Sequence, residues 1–315
     1  MIMDSISVVI PCYNSENTIA DVVDELEATL TGKVDHEIIL VCDCLSEKLW
    51  EIIRSLSTKY EGCVNGIRFS KNFGQHAALM AGYRACTKDI VITMDDDGQS
   101  DPSGIFVLTD KIKEGYDVAY SLYPSKKESL FRRLGSAINR KMCETLIDLP
   151  KGIEPMSFYA AKKYIIDEVV RYEGSFPYIG GLICRATTNM CNVTIEHRER
   201  AFGKSNYTIR KLLRLWMNGF TAFSVKPLEI ASVIGFISAL AGFIYAVVIV
   251  VRKIVLPDVP LGWSTLTALF LIIGGLIMIM LGLIGEYIGR IYICISSSPQ
   301  YVVRETCGSD RDKLE

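Results

Sequence analysis

Directly after the apolar run Ile90 to Met94 come Asp95, Asp96, Asp97, Gly98 and Gln99. Adjacent carboxylates repel one another unless a cation is bound. A hard divalent ion with oxygen ligands, Mg²⁺ or Mn²⁺ bridging to substrate phosphates, is the usual resolution. Such an ion neutralises charge on a departing diphosphate. Residues two apart on an extended segment face the same side, so Asp95, Asp97 and Gln99 are expected to converge on one ligand while Asp96 turns away. A solvated acidic turn is the plainer account of a D-x-D taken alone; its place at the end of a strand favours a site.

A second cluster, HRERAFGKSNY at His197 to Tyr207, sets Arg198, Arg200 and Lys204 beside Gly203, where a phosphate can approach the backbone. On residues alone this is either an anion site opposite the acidic loop or an exposed charged loop. The chain has no convincing Ser/His/Asp nucleophile arrangement, no P-loop and no G-x-G-x-x-G, so hydrolase and kinase readings lack specific support.

The elements that must hold these residues read as an α/β fold. Ile6 to Pro11, Glu37 to Val41 and Ile90 to Met94 are β-branched and aliphatic runs, each followed by polar residues, as buried parallel strands are. Helix-like stretches at Asn17 to Leu30 and Gln75 to Cys86 give the order strand, helix, strand, helix, strand. That alternation predicts a doubly wound sheet, with ligands at the carboxyl ends of its strands. Pro11, Tyr13 and Asn14, then Asp43, then the acidic loop all fall there.

Half of the 315 residues are apolar, unevenly spread. Ile230 to Val251 and Ser264 to Gly285 carry no charge, and each has the roughly 20 residues needed to cross a bilayer. Met1 to Pro11 reads as a strand rather than a signal peptide. Arg210, Lys211, Arg214 and Lys226 precede the first run and Arg290 and Arg304 follow the second, against Arg252 and Lys253 between them. This bias predicts two spans with both ends, and the catalytic region, in the cytoplasm. Ser129 to Leu146 and Tyr207 to Phe220 read as basic helices, the latter lying on a membrane surface. The expected division is 1–228, a catalytic domain with interfacial helices, and 229–315, a two-span region with a cytoplasmic tail. The net charge of −2 and the lack of a basic stripe with interleaved aromatics argue against nucleic acid. Ten cysteines without paired ligand spacing read as small buried hydrophobes.

With these residues in view, the chain resembles the polyprenyl-phosphate glycosyltransferases, the inverting family-two group that includes dolichyl-phosphate mannose synthase and bactoprenol glucosyltransferase. The resemblance rests on VVIPCYN (Val8 to Asn14), FSKNFGQHAALMAGYRAC (Phe69 to Cys86), MDDDGQ (Met94 to Gln99), RERAFGKSNY (Arg198 to Tyr207) and IGEYIGRIY (Ile284 to Tyr292). It implies a GT-A (Rossmann-like) domain followed by interfacial helices and two transmembrane helices. Pro11, Tyr13, Asp43 and Asp95 would hold the nucleotide, and Asp97 and Gln99 the metal. Arg133, Arg198, Arg200, Lys204 and Ser205 would hold the donor and acceptor phosphates. Asp97, Arg200 and Arg133 would carry catalysis, with a nucleotide sugar, UDP-linked, as donor and polyprenyl phosphate as acceptor. A homo-oligomer, a tetramer in the family, is also implied.

Two departures stand out. CDCLSEKLW keeps Asp43 but lacks the family's later carboxylate, for which Glu47 is the nearest substitute. EPMSFYA at Glu154 to Ala160 replaces an acidic residue followed by Phe and Arg near the sugar pocket, so glucose does not carry over. The competing readings are a processive polysaccharide synthase, for which Arg214-Leu215-Trp216 only approaches the expected motif, and an inactive nucleotide-sugar-binding scaffold.

Overall fold

The computed structural model describes residues 5–123, 144, 149–195, 262–295 and 299–308 and most of 233–251. The chain divides into two compact units, Met1–Thr208 with Ser298–Glu315, and Ile209–Ser297.

The first unit is built on an eight-stranded sheet in the order β7-β5-β6-β4-β1-β2-β3-β8. Its chain runs β1 (Ile6–Cys12), α1 (Ile19–Leu30), β2 (His36–Cys42), α2 (Glu47–Lys59), β3 (Val64–Phe69), α3 (Gln75–Ala85) and β4 (Ile90–Thr93). There follow α4 (Gly104–Lys113), β5 (Val118–Leu122), β6 (Tyr159–Lys162), α5 (Lys163–Val170), α6 (Ile179–Ala186), β7 (Met190–Thr194) and, after the second unit, β8 (Val303–Cys307). β1 is parallel to both β2 and β4, and β2 to β3, while β6 and β8 pair antiparallel with β4 and β3. Every residue of β1 and β2 is buried, which is why both are mostly apolar.

From β1 the chain builds outward through β2 and β3, then returns to lay β4 on the other side of β1. The reversal opens a crevice at the carboxyl ends of β1 and β4, where connections leave in opposite directions. The acidic loop follows β4 and Tyr13 follows β1, so topology alone brings these distant residues together.

The expected α/β alternation holds, with one correction. α2 and β3 lie between the second expected strand and the helix at Gln75, so the acidic loop follows the fourth strand. β3 reads VNGIRF, and its polar residues answer to tertiary partners. A Cβ on Gly66 would stand 2.6 Å from both Cys307 Sγ and Ile53 Cγ2, so β8 and α2 pack too closely for a side chain. Arg68 is 1% exposed; Glu47 takes it with two bonds of 2.7 and 2.9 Å, and Glu305 on β8 adds a third at 3.3 Å. Glu305 also accepts from Trp50 Nε1 at 2.9 Å and pairs with Arg54. Tyr301 stacks on Phe69, and Gln300 donates to the carbonyls of Tyr172 and Gly174.

In the second unit, α7 (Trp263–Ile295) runs 33 residues, and its window Ile272–Gly289 has mean hydropathy 2.0 with none of it buried. At 1.5 Å per residue it is about 50 Å long, more than the ~30 Å hydrocarbon core of a bilayer. Among the described residues it is the one helix long and apolar enough to cross; Val233–Tyr245 forms a shorter apolar helix. Phe270 is 77% exposed and Tyr292 72%, an apolar surface out of place in water. The basic stretches expected as helices at 129–146 and 207–220 fall outside the described residues, Glu144 excepted.

Replacing Glu305 by Ala leaves the Trp50 N–H and one flank of the buried guanidinium without their acceptor. The expected loss is about 2 kcal/mol. Glu305→Gln, which keeps an acceptor, should lose about half as much; thermal midpoints of the detergent-purified chain measure both.

Candidate active site

β4 ends at Thr93, and the acidic residues form a turn rather than an extension of the strand. Gly98 takes φ 71°, a left-handed conformation suited to glycine, and the Gln99 N–H donates to Asp97 Oδ1 at 3.1 Å. Asp96 does turn away from its neighbours, but because of this turn and not through strand alternation. Its carboxylate accepts from the Tyr13 N–H at 2.9 Å, and its carbonyl from Thr18 Oγ1 at 2.7 Å. Burial pushes the Asp96 carboxyl up to about 6, against the pull of the Tyr13 N–H. This residue therefore stitches the β1 loop to the β4 loop.

Asp95 faces other partners. Its Oδ1 accepts from Gln75 Nε2 at 3.2 Å and its Oδ2 from Ser157 Oγ at 2.5 Å. Neither donor was singled out from sequence, although Gln75 lies in the FGQH run and Ser157 in EPMSF. The Gln75 amide and the Ser157 hydroxyl thus orient the Asp95 carboxylate. Asp97 and Gln99, a carboxylate and an amide on one tight turn, carry hard oxygen atoms of the kind that Mg²⁺ or Mn²⁺ takes.

Pro11 is buried within β1, whereas Tyr13 is 57% exposed at its end. Asp43 is buried after β2; its two oxygens accept from the Phe73 N–H at 2.7 Å and the Gly74 N–H at 2.8 Å, and its carbonyl from Asn72 Nδ2. It holds the turn that opens α3, where the helix dipole favours a carboxylate. Burial raises the Asp43 carboxyl, and those two N–H bonds oppose the rise. Glu47 is spent on Arg68 at the β3 edge. Arg133, Arg198, Arg200, Lys204 and Ser205 lie outside the described residues.

His76, beside Gln75 on α3, packs edge-on against Tyr178 with Nδ1 buried and unpartnered among the described residues. Burial pushes its imidazole down to about 4, so it is neutral at physiological pH.

Comparison with known proteins gives the same class. Residues 7–170 match Glycosyl transferase family 2, and residues 226–291 match the GtrB C-terminal hairpin. The chain belongs to glycosyl transferase family 2 and is a glycosyltransferase, as its resemblance to the polyprenyl-phosphate group anticipates. It is 31% identical over 310 residues to YkcC of Bacillus subtilis, an uncharacterized glycosyltransferase, covering 98% of this chain and 96% of that one. It is 31% identical over 313 residues to the undecaprenyl-phosphate 4-deoxy-4-formamido-L-arabinose transferase of Yersinia enterocolitica, covering 97% and 94%. In fold it is similar to Mycobacterium tuberculosis glucosyl-3-phosphoglycerate synthase, solved with Mn²⁺ and UDP-glucose, at TM-score 0.50 and 21% identity over 66% of this chain and 74% of that one.

His76 should leave a pH signature in stability. The unfolded imidazole takes a proton below about 6.5 and the folded one only near 4, so the contribution is present above pH 6.5 and lost as pH falls toward 4. The loss amounts to about 3 kcal/mol at most. His76→Leu should flatten that part of the thermal-midpoint profile relative to the wild-type chain.

Proposed function

We propose that this glycosyltransferase moves a sugar, with inversion, from a nucleotide sugar, UDP-linked, to undecaprenyl or a similar polyprenyl phosphate at the cytoplasmic membrane face, for modification of a cell-envelope glycan. The observation that carries this reading is the acidic turn Asp95 to Gln99 at the reversal point of the sheet, in a chain aligned end to end with an undecaprenyl-phosphate sugar transferase.

In this reading Pro11, Tyr13, Asp43 and Asp95 hold the nucleotide. Asp43 acts partly through the turn at Asn72 to Gly74. Asp97 and Gln99 would hold Mg²⁺ or Mn²⁺, which when bound offsets charge on the leaving diphosphate. Arg133, Arg198, Arg200, Lys204 and Ser205 hold the donor diphosphate and the lipid phosphate. The acceptor phosphate is already ionised, so it attacks the anomeric carbon without a general base. His76, buried and neutral, is not needed as one. Catalysis then rests on holding two anions in line and compensating their charge.

Two membrane crossings are supported by parity. A chain that leaves one folded unit and returns to pair in the same sheet crosses a bilayer an even number of times, and β8 pairs with β3. α7 supplies one crossing and the uncharged stretch around Val233–Tyr245 the other. Assembly as a tetramer is carried over from the family resemblance alone.

The purified chain, given labelled nucleotide sugars, Mn²⁺ and a polyprenyl phosphate, should form a lipid-soluble product from one donor. No such product from any donor overturns the proposal, and a long polymer would point to a synthase. Asp97→Ala should abolish metal-dependent transfer with the thermal midpoint kept; EDTA-insensitive turnover in the wild type would remove the metal. Arg200→Ala should lower transfer at least ~100-fold while leaving membrane association unchanged.

A further inference from the structure

A second constellation lies at the opposite end of the sheet from the acidic turn. Glu27 belongs to the last turn of α1, His36 opens β2 and Cys63 immediately precedes β3. One donor atom from each lies within 4.8 Å of the other two. Glu27 and His36 are only 6% and 8% exposed.

Nδ1 lies 3.1 Å from the Val34 carbonyl, an acceptor to which it can donate. Nε2 faces Glu27 Oε1 at 3.3 Å, and both are buried atoms with no hydrogen-bond partner among the described residues. The other oxygen of Glu27 accepts from Thr31 Oγ1 at 3.0 Å. Buried polar atoms so placed are costly unless something positive, a proton or a metal ion, lies between them.

A proton on Nε2 would relieve the pair, whereas the Cys63 thiol beside it completes a donor set that suits a metal ion.

We propose that Glu27, His36 and Cys63 form a binding site for a zinc-class divalent ion, separate from the acidic turn. The donors are one oxygen, one nitrogen and one sulfur, a set that suits Zn²⁺ and not Mg²⁺ or Ca²⁺, which take oxygen. Zn–N and Zn–O bonds near ~2.0 Å and Zn–S near ~2.3 Å put tetrahedral ligands about 3.3–3.8 Å apart, within reach of donors that already lie within 4.8 Å of one another. The Val34 carbonyl and Thr31 hydroxyl supply the outer contacts that orient metal ligands. A cleft lined by Gly32, Asp35, Lys59 and Glu61 leaves the fourth position to water or an incoming group. The ion would clasp the end of α1 to the starts of β2 and β3.

The test uses the full chain in detergent, with Asp97→Ala so that an ion at the acidic turn is not counted. After EDTA treatment and dialysis against zinc, elemental analysis should find one equivalent per chain, and zinc should raise the thermal midpoint. Cobalt should give a thiolate-to-metal charge-transfer band and the visible bands of a tetrahedral ion. Cys63→Ser and His36→Gln should each weaken zinc binding ~10-fold or more. Failure to retain zinc, a cobalt spectrum without the thiolate band, or retention unchanged in Cys63→Ser would each overturn the proposal. A midpoint that responds to acid and not to zinc would identify a proton-bridged pair instead. The cobalt spectrum needs no substitution in the cluster, so a variant that fails to fold does not remove the test.

Discussion

The reversal of strand order beside β1 is the constraint on which the site depends. Once β4 is laid against β1 on the side away from β2, the residues after both strands must share one crevice. Their self-repelling carboxylates have to be held in place there. Asp96 resolves this locally: it turns inward and spends its charge on the Tyr13 amide, so the loop is anchored by the carboxylate that faces away from the crevice. Asp95 and Asp97 are oriented by amides and a hydroxyl instead.

The far edge of the sheet solves a different problem. An exposed β3 edge would present unpaired backbone groups, and β8 covers it with residues that come from beyond the apolar hairpin in sequence. Arg68, Glu305, Glu47 and Trp50 make the pairing specific, because a buried guanidinium loses much if its acceptors leave. Phe69 joins this edge to the crevice: it stacks on Tyr301 from one side and meets Phe73 edge-on from the other, and Phe73 donates to Asp43. The segment that returns from the apolar unit thus reaches the turn that opens α3 through Phe69.

What could be read from the sequence follows the same physics. β1, β2, β4, α1 and α3 were legible to within one or two residues, because buried parallel strands are mostly apolar, α1 is amphipathic and α3 is a run of small and apolar residues buried along most of its length. β3 and β8 were not, since Asn65, Gly66, Arg68, Arg304 and Glu305 look like loop residues until their partners are known. The acidic turn was legible as chemistry, and its orientation was not. Gln75 and Ser157 reach Asp95 from 20 and 62 residues away, and no local pattern reports such a contact. The Glu27, His36 and Cys63 cluster has no spacing signature either, because three separate connections deliver it.

Ser157 gives the EPMSFYA departure a physical meaning. In the resemblance this stretch carries an acidic residue followed by Phe and Arg near the sugar; here a serine hydroxyl donates to Asp95. The Glu154 amide and carbonyl are both tied to the Asn192 side chain, so the stretch is held by β7 rather than free to reshape around a ligand. The departure in this stretch and the hold on Asp95 thus meet at Ser157.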